Sequence, residues 1–172
     1  MTDHLYLHLD RGTAGQRPMA EAYFSTRAGR LLSTVVTYDA DYVADPAAFP
    51  VSPTLPLFTG GQHAGGLPGF LSDCAPDRWG RNLITQRHRA QARAEGRTVS
   101  TLTDVDFLVG VSDLTRQGAV RLCTEPNGSY LSMGTDVPAL VDLPRLLHAA
   151  DAVSSDDDFA AIKVLLDAGS SS

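Results

Sequence analysis

Along the first forty residues apolar side chains recur at every second position, the period of a half-buried strand. Leu5, Leu7 and Leu9 share one face, and two further alternating runs follow over residues 19–26 and 31–38, with Gly12, Gly15 and Gly29 between them. The stretch STRAGRL reads as a hairpin turn joining the second and third strands. Residues 38–57 then carry prolines at 46, 50, 53 and 56, which predict neither a regular helix nor a central strand but an extended strap across the sheet. After TGGQHAGG, read as a flexible link, the period lengthens to that of a helix. Pro76 interrupts it, and Asp77 is the expected cap of a helix from Arg78 to about Ala94. A short helix over residues 104–109, opened by Thr103 or Asp104, comes next. GAVRLCTE and GSYLSM read as a second pair of strands, and DLPRLLHAADAV and DDDFAAIKVLLDAG as two further helices. The expected fold is therefore α+β: a small antiparallel twisted sheet or partial barrel with flanking helices, spanning residues 1–135, followed by a helical connection over residues 136–172.

Composition narrows the class. With 172 residues, 43% hydrophobic and 20% charged, the chain has the size and balance of one globular domain. It has no apolar run long enough to cross a bilayer, and its first residues carry an acid where a secretory signal carries basic residues, so a cytoplasmic location without membrane contact is expected. The net charge of −6 argues against direct nucleic-acid binding. Cys74 and Cys123 have no second cysteine at metal-ligand or redox spacing and read as small reduced core residues.

Few residues suggest chemistry by themselves. His4 and His8 fall on one side of the first strand but lack a neighbouring third ligand, so no metal site is expected. Ser52 and Ser72 lack the context of a nucleophile elbow, and no Cys–His or Ser–His pair is recognisable locally. The acids of SSDDDF precede a helix, where they complement the positive end of its dipole. Six of the thirteen arginines lie between Arg78 and Arg97; Arg89, Arg93 and Arg97, spaced by four, form either a docking face or a solvated one. At the C-terminal end, Gly169, Ser170, Ser171 and Ser172 follow an apolar segment, a pattern that can cradle phosphate through backbone N–H groups or form a simple tail.

Three stretches in order, YDADYVADPAAFPVSPTLPL, PGFLSDCAPDRWGRNLI and DFLVGVSDLTRQGAVRL, resemble the N-terminal region of the HipA family, serine/threonine kinase toxins of bacterial toxin–antitoxin pairs. The matching positions are residues 50–57, 70–81 and 109–120. Two departures stand out: the Pro-Asp pair comes late, at Pro76 and Asp77, and Arg116 and Gln117 occupy loop positions where smaller residues are common.

The resemblance implies that residues 169–172 are the first residues of a glycine-rich loop that covers ATP phosphates, with the serines as candidates for autophosphorylation. It implies ATP and Mg as cofactors of the complete kinase and none for this chain alone. It also implies a kinase body and a helix-turn-helix antitoxin as partners, and a protein of the translation machinery as target. The single lysine, Lys163, sits within a predicted helix, so no catalytic residue is assigned and the chain alone is expected to be inactive. The alternative is a stand-alone, non-catalytic subunit that binds and regulates a separately encoded HipA-type kinase.

Overall fold

A computed structural model of the chain describes residues 3–113, 116–126 and 128–131. Their centre is an open, five-stranded antiparallel sheet in the order β4-β3-β2-β1-β5. The expected α+β class is borne out, in its open rather than its barrel form.

Strands β1 (His4–Asp10), β2 (Gln16–Arg27) and β3 (Arg30–Tyr38) form a meander from the three alternating runs. Leu5, Leu7, Ala20, Ala22, Phe24, Val36 and Tyr38 are all buried, and their cross-strand registers place them on one face. In β2, Leu7 pairs with Ala20 and His8 with Pro18, so Met19 is the extra residue of a bulge. The bulge accommodates Pro18 in the ladder, and the Met19 carbonyl accepts a bond from the Asp39 N–H at 2.9 Å. The β2–β3 turn has Ala28 and Gly29 both at positive φ, 50° and 74°, the twist that suits a tight hairpin.

The strap departs from expectation at its start. Asp39 accepts bonds from the N–H groups of Asp41 and Tyr42 and caps a single helical turn, α1 (Ala40–Ala44). The prolines begin only at Pro46, so nothing prevents a helix before that point. From there the chain runs irregularly, with one bridge between Ser52 and Leu55, and Tyr38 pins it: its hydroxyl donates to the Leu55 carbonyl (3.0 Å) and accepts from the Val51 N–H (2.9 Å).

TGGQHAGG is not a flexible link. Its centre is β4 (Gly61–Gly65), an edge strand paired with β3. It is held there by the Gln62 amide, which donates to the Pro56 carbonyl, and by the Thr34 hydroxyl, which donates to the Gly66 carbonyl. These side-chain anchors compensate for a strand with no β-branched residue.

Helices α2 (Gly69–Ser72), α3 (Arg78–Ala94) and α4 (Asp104–Val109) follow. Asp77 caps α3 through the Gly80 N–H, and Thr103 with Asp106 forms a reciprocal capping box on α4. Leu71, Val105 and Leu108 from α2 and α4 join Tyr42 and Leu55 over the buried sheet face. Helix α3 contributes little, with Ala92 its one buried residue among those described.

Strand β5 (Val120–Cys123) pairs with β1, not in a hairpin with the segment after it. Residues 128–131 return beside β5 without forming a strand; the Leu131 N–H donates to the Leu122 carbonyl at 2.8 Å. The remainder of GSYLSM and the two later predicted helices lie outside the described residues, as does the connection over 136–172.

Leu55 is only 1% exposed, beneath the strap it anchors. Leu55→Ala should cost about 2–5 kcal/mol, and Leu55→Asp more, because it places a charge in the core. Thermal and denaturant melts would check this; an unchanged midpoint for Leu55→Asp would mean that the strap is not part of the core.

Candidate functional site

The residues with the densest polar chemistry converge where α2, α4, β1 and β5 meet, and the loop between α4 and β5 supplies most of them. Arg116, 5% exposed, extends from this loop into the interior. Its guanidinium donates to the carbonyls of Cys74 (3.1 Å), Leu108 (3.1 Å) and Val111 (2.8 Å). Leu108 lies in the last turn of α4, where helix carbonyls lack intrahelical donors and the dipole favours a cation. One side chain thus joins the turn after α2, the end of α4 and the loop itself. Burial pushes the Arg116 pKa down, although an arginine retains its charge. Cys74 packs nearby, its thiol donating to the Phe70 carbonyl and its pKa pushed up by burial.

A second arginine fastens the same loop to the sheet. Arg121 of β5 binds Asp10 Oδ2 through Nε and Nη2 at 3.2 and 3.0 Å and donates through Nη1 to the Asp113 carbonyl at 3.1 Å. Asp10 also accepts from the Gly12 N–H at 2.8 Å; that bond, then Arg121, holds its carboxyl below the usual range.

On the sheet face that Arg121 and Asp10 share, opposite Leu7 and Leu122, the structure joins a pair separated by most of the chain. Cys123 Sγ lies 3.8 Å from His8 Nε2, while His8 Nδ1 is 2.9 Å from the Tyr130 hydroxyl. A Cys–His pair invites a nucleophilic reading, but burial raises the thiol pKa and lowers that of the imidazole, so both neutral forms are favoured over the reactive ion pair. The pair instead packs residues 128–131 against β1.

The other sequence candidates separate. His4 and His8 do share a strand face, but His4 stacks on Tyr23 at 4.2 Å and contacts Glu21 at 3.1 Å, away from His8's partners. Among the described residues no group of three or more His, Cys, Asp or Glu is placed to hold a metal ion. Cys74 and Cys123 are free and buried, as expected. The arginine face is shorter than the spacing predicts: α3 ends at Ala94, and Arg97 lies beyond it, paired with Glu95. Arg81 pairs with Asp104 at 3.1 Å and lies over the Phe107 ring, fixing α3 to α4, whereas Arg89 and Arg93 remain exposed. Gly169, Ser170, Ser171 and Ser172 lie outside the described residues, as does Lys163. Among the described residues no helix is long and apolar enough to cross a membrane.

The sheet, strap and arginine-held junction define a small α+β domain. Residues 21–105 match the family described as HipA N-terminal domain, and this segment is a HipA N-terminal-domain region. The match runs from within β2 into α4. It includes the first two of the three resembling stretches, and Arg116 lies beyond it. No curated protein and no solved structure gives a significant match.

Sequence reading passed over Arg116 as a loop departure. The available signal was a long cationic side chain set between apolar segments; its three acceptors are carbonyls, which no residue type marks. Arg116→Met leaves those carbonyls without their donor and should cost about 3 kcal/mol, with Arg116→Lys recovering only part because one ammonium cannot span the fork. Equal stability of Arg116→Met in urea melts would contradict this role.

His8 supplies a pH test. Its folded pKa lies below the ordinary value of 6.5, so the unfolded chain binds the proton more readily. Its contribution is complete above pH 6.5 and declines as pH falls from there toward the folded pKa. Between pH 7.5 and 5, wild type should therefore lose more stability than His8→Gln; parallel curves would show that His8 is not held neutral.

Proposed function

We propose that this chain is the N-terminal domain of a HipA-like serine/threonine protein kinase toxin, serving as a scaffold that packs on a kinase body rather than performing phosphoryl transfer itself. The observation that carries this reading is the HipA N-terminal domain match over residues 21–105. In its complete form the protein would use ATP and Mg to phosphorylate a protein of the translation machinery and would be neutralised by a helix-turn-helix antitoxin. Gly169, Ser170, Ser171 and Ser172 would open the loop that covers the ATP phosphates through backbone N–H groups.

The chemistry of the described residues supports a scaffold. Phosphoryl transfer needs cations and metal ligands arranged around the phosphates, and the three arginines at the junction and on α3 that hold internal partners are committed elsewhere. Arg116 serves three carbonyls, Arg121 serves Asp10 and Asp113, and Arg81 serves Asp104. Bound ATP and Mg would supply the transferred phosphoryl group and its charge neutralisation; these residues would shape and stabilise the domain beside that reaction.

The isolated 172-residue chain, incubated with radiolabelled ATP, Mg and a generic protein substrate, should transfer no phosphate above a protein-free blank. Metal-dependent turnover by the chain alone would overturn the scaffold reading.

A further inference from the structure

The two edges of the sheet differ. On β5, the outward-facing Leu122 carbonyl already accepts the Leu131 N–H, so the returning segment engages that edge. On β4 the opposite holds. Ser33 pairs with Gly65, and the Gly66 N–H donates to the Leu32 carbonyl, which makes Ser33–Gly65 a non-hydrogen-bonded pair. Alternation then directs the backbone groups of Gln62 and Ala64 toward β3 and those of Gly61, His63 and Gly65 away from the sheet. These last three residues are exposed, and among the described residues none of their N–H or C=O groups has a hydrogen-bond partner.

Such an edge is usually protected by charge, proline or a bulge. Here it is not: residues 46–72 contain no Asp, Glu, Lys or Arg, although the chain carries a net charge of −6. Exposed Phe58 lies by Gly60 at one end of the strand, and exposed Leu32 by Gly66 at the other. Gly61 and Gly65 leave their positions on the sheet face without side chains.

We propose that the β4 edge binds an extended, uncharged segment of a partner protein by adding a sixth antiparallel strand, with aromatic residues opposite Gly61 and Gly65. Three hydrogen-bonded pairs, at Gly61, His63 and Gly65, set the register. The absence of charge on the edge selects an uncharged strand, because an ionic side chain would lose hydration there without gaining a counter-charge. The two glycines select large flat side chains, which cover exposed backbone across a strand pair. This inference is independent of the kinase reading.

The test uses the full chain and a blocked heptapeptide, Ser-Tyr-Thr-Val-Thr-Tyr-Ser, whose tyrosines fall opposite the glycines. Amide hydrogen exchange should slow at Gly61, His63 and Gly65 on adding the peptide and remain unchanged at Gln62 and Ala64, which are already bonded to β3. Methylating the valine amide of the peptide should abolish the effect. His63→Pro removes an outward N–H that the fold does not use, and it should melt like wild type while losing the peptide. Failure of the peptide to protect these amides, or undiminished binding by His63→Pro, would overturn the proposal. So would protection of the same amides without peptide: if it rises with protein concentration the occupant is a second copy, and if it does not, the chain covers its own edge.

Discussion

The Tyr38 hydroxyl is the hinge of the architecture. Tyr38 ends β3, faces the core, and binds the strap twice, donating to Leu55 and accepting from Val51. Burial raises its pKa, so the phenol remains protonated and able to donate. The strap is rich in proline and cannot form its own ladder, so side chains must supply what its backbone lacks. Tyr42 repeats the device, with its hydroxyl donating to the Phe49 carbonyl and its ring stacked on Tyr38. With the strap held, Leu55 seals the sheet, Pro56 offers its carbonyl to Gln62, and β4 is brought to the edge of β3.

Legibility in the sequence followed the range of the interactions. The meander, the hairpin at Ala28 and Gly29, the Asp77 cap and the start of α4 at Thr103 or Asp104 are local, and residue type at fixed spacing announces them. Helix α1 was missed because four prolines dominated the reading of a segment whose first residues contain none. Strand β4 was missed because its sequence is that of a link; its stability comes from Gln62 and Thr34, both bonding across sequence gaps. The pairing of β5 with β1 is likewise non-local, and alternation alone favoured a hairpin with the segment after it.

The candidate chemistry divides the same way. The unreactive character of both cysteines was visible in their isolation, but the contact between Cys123 and His8 was not, since no local motif links residues 115 positions apart. The role of Arg116 depends on carbonyls donated by three separate elements. The small-residue pattern of Gly169 to Ser172 left a phosphate cradle and a simple tail both open, and only the resemblance to the HipA family assigned it a loop. That resemblance and the family match meet over residues 38–105, the strap and the helices that pack on it.

The division of labour is consistent across the described residues. Burial keeps Cys74, Cys123 and His8 neutral, while Arg116, Arg121 and Arg81 are spent on internal acceptors. These commitments stabilise and position the elements of the domain. The most direct test is the intact mass of the native protein recovered from its own cells. A species substantially heavier than the 18.3 kDa of this chain, containing its sequence at the N-terminal end, is the expected result. A mature species at 18.3 kDa would contradict it and make the chain a separate subunit.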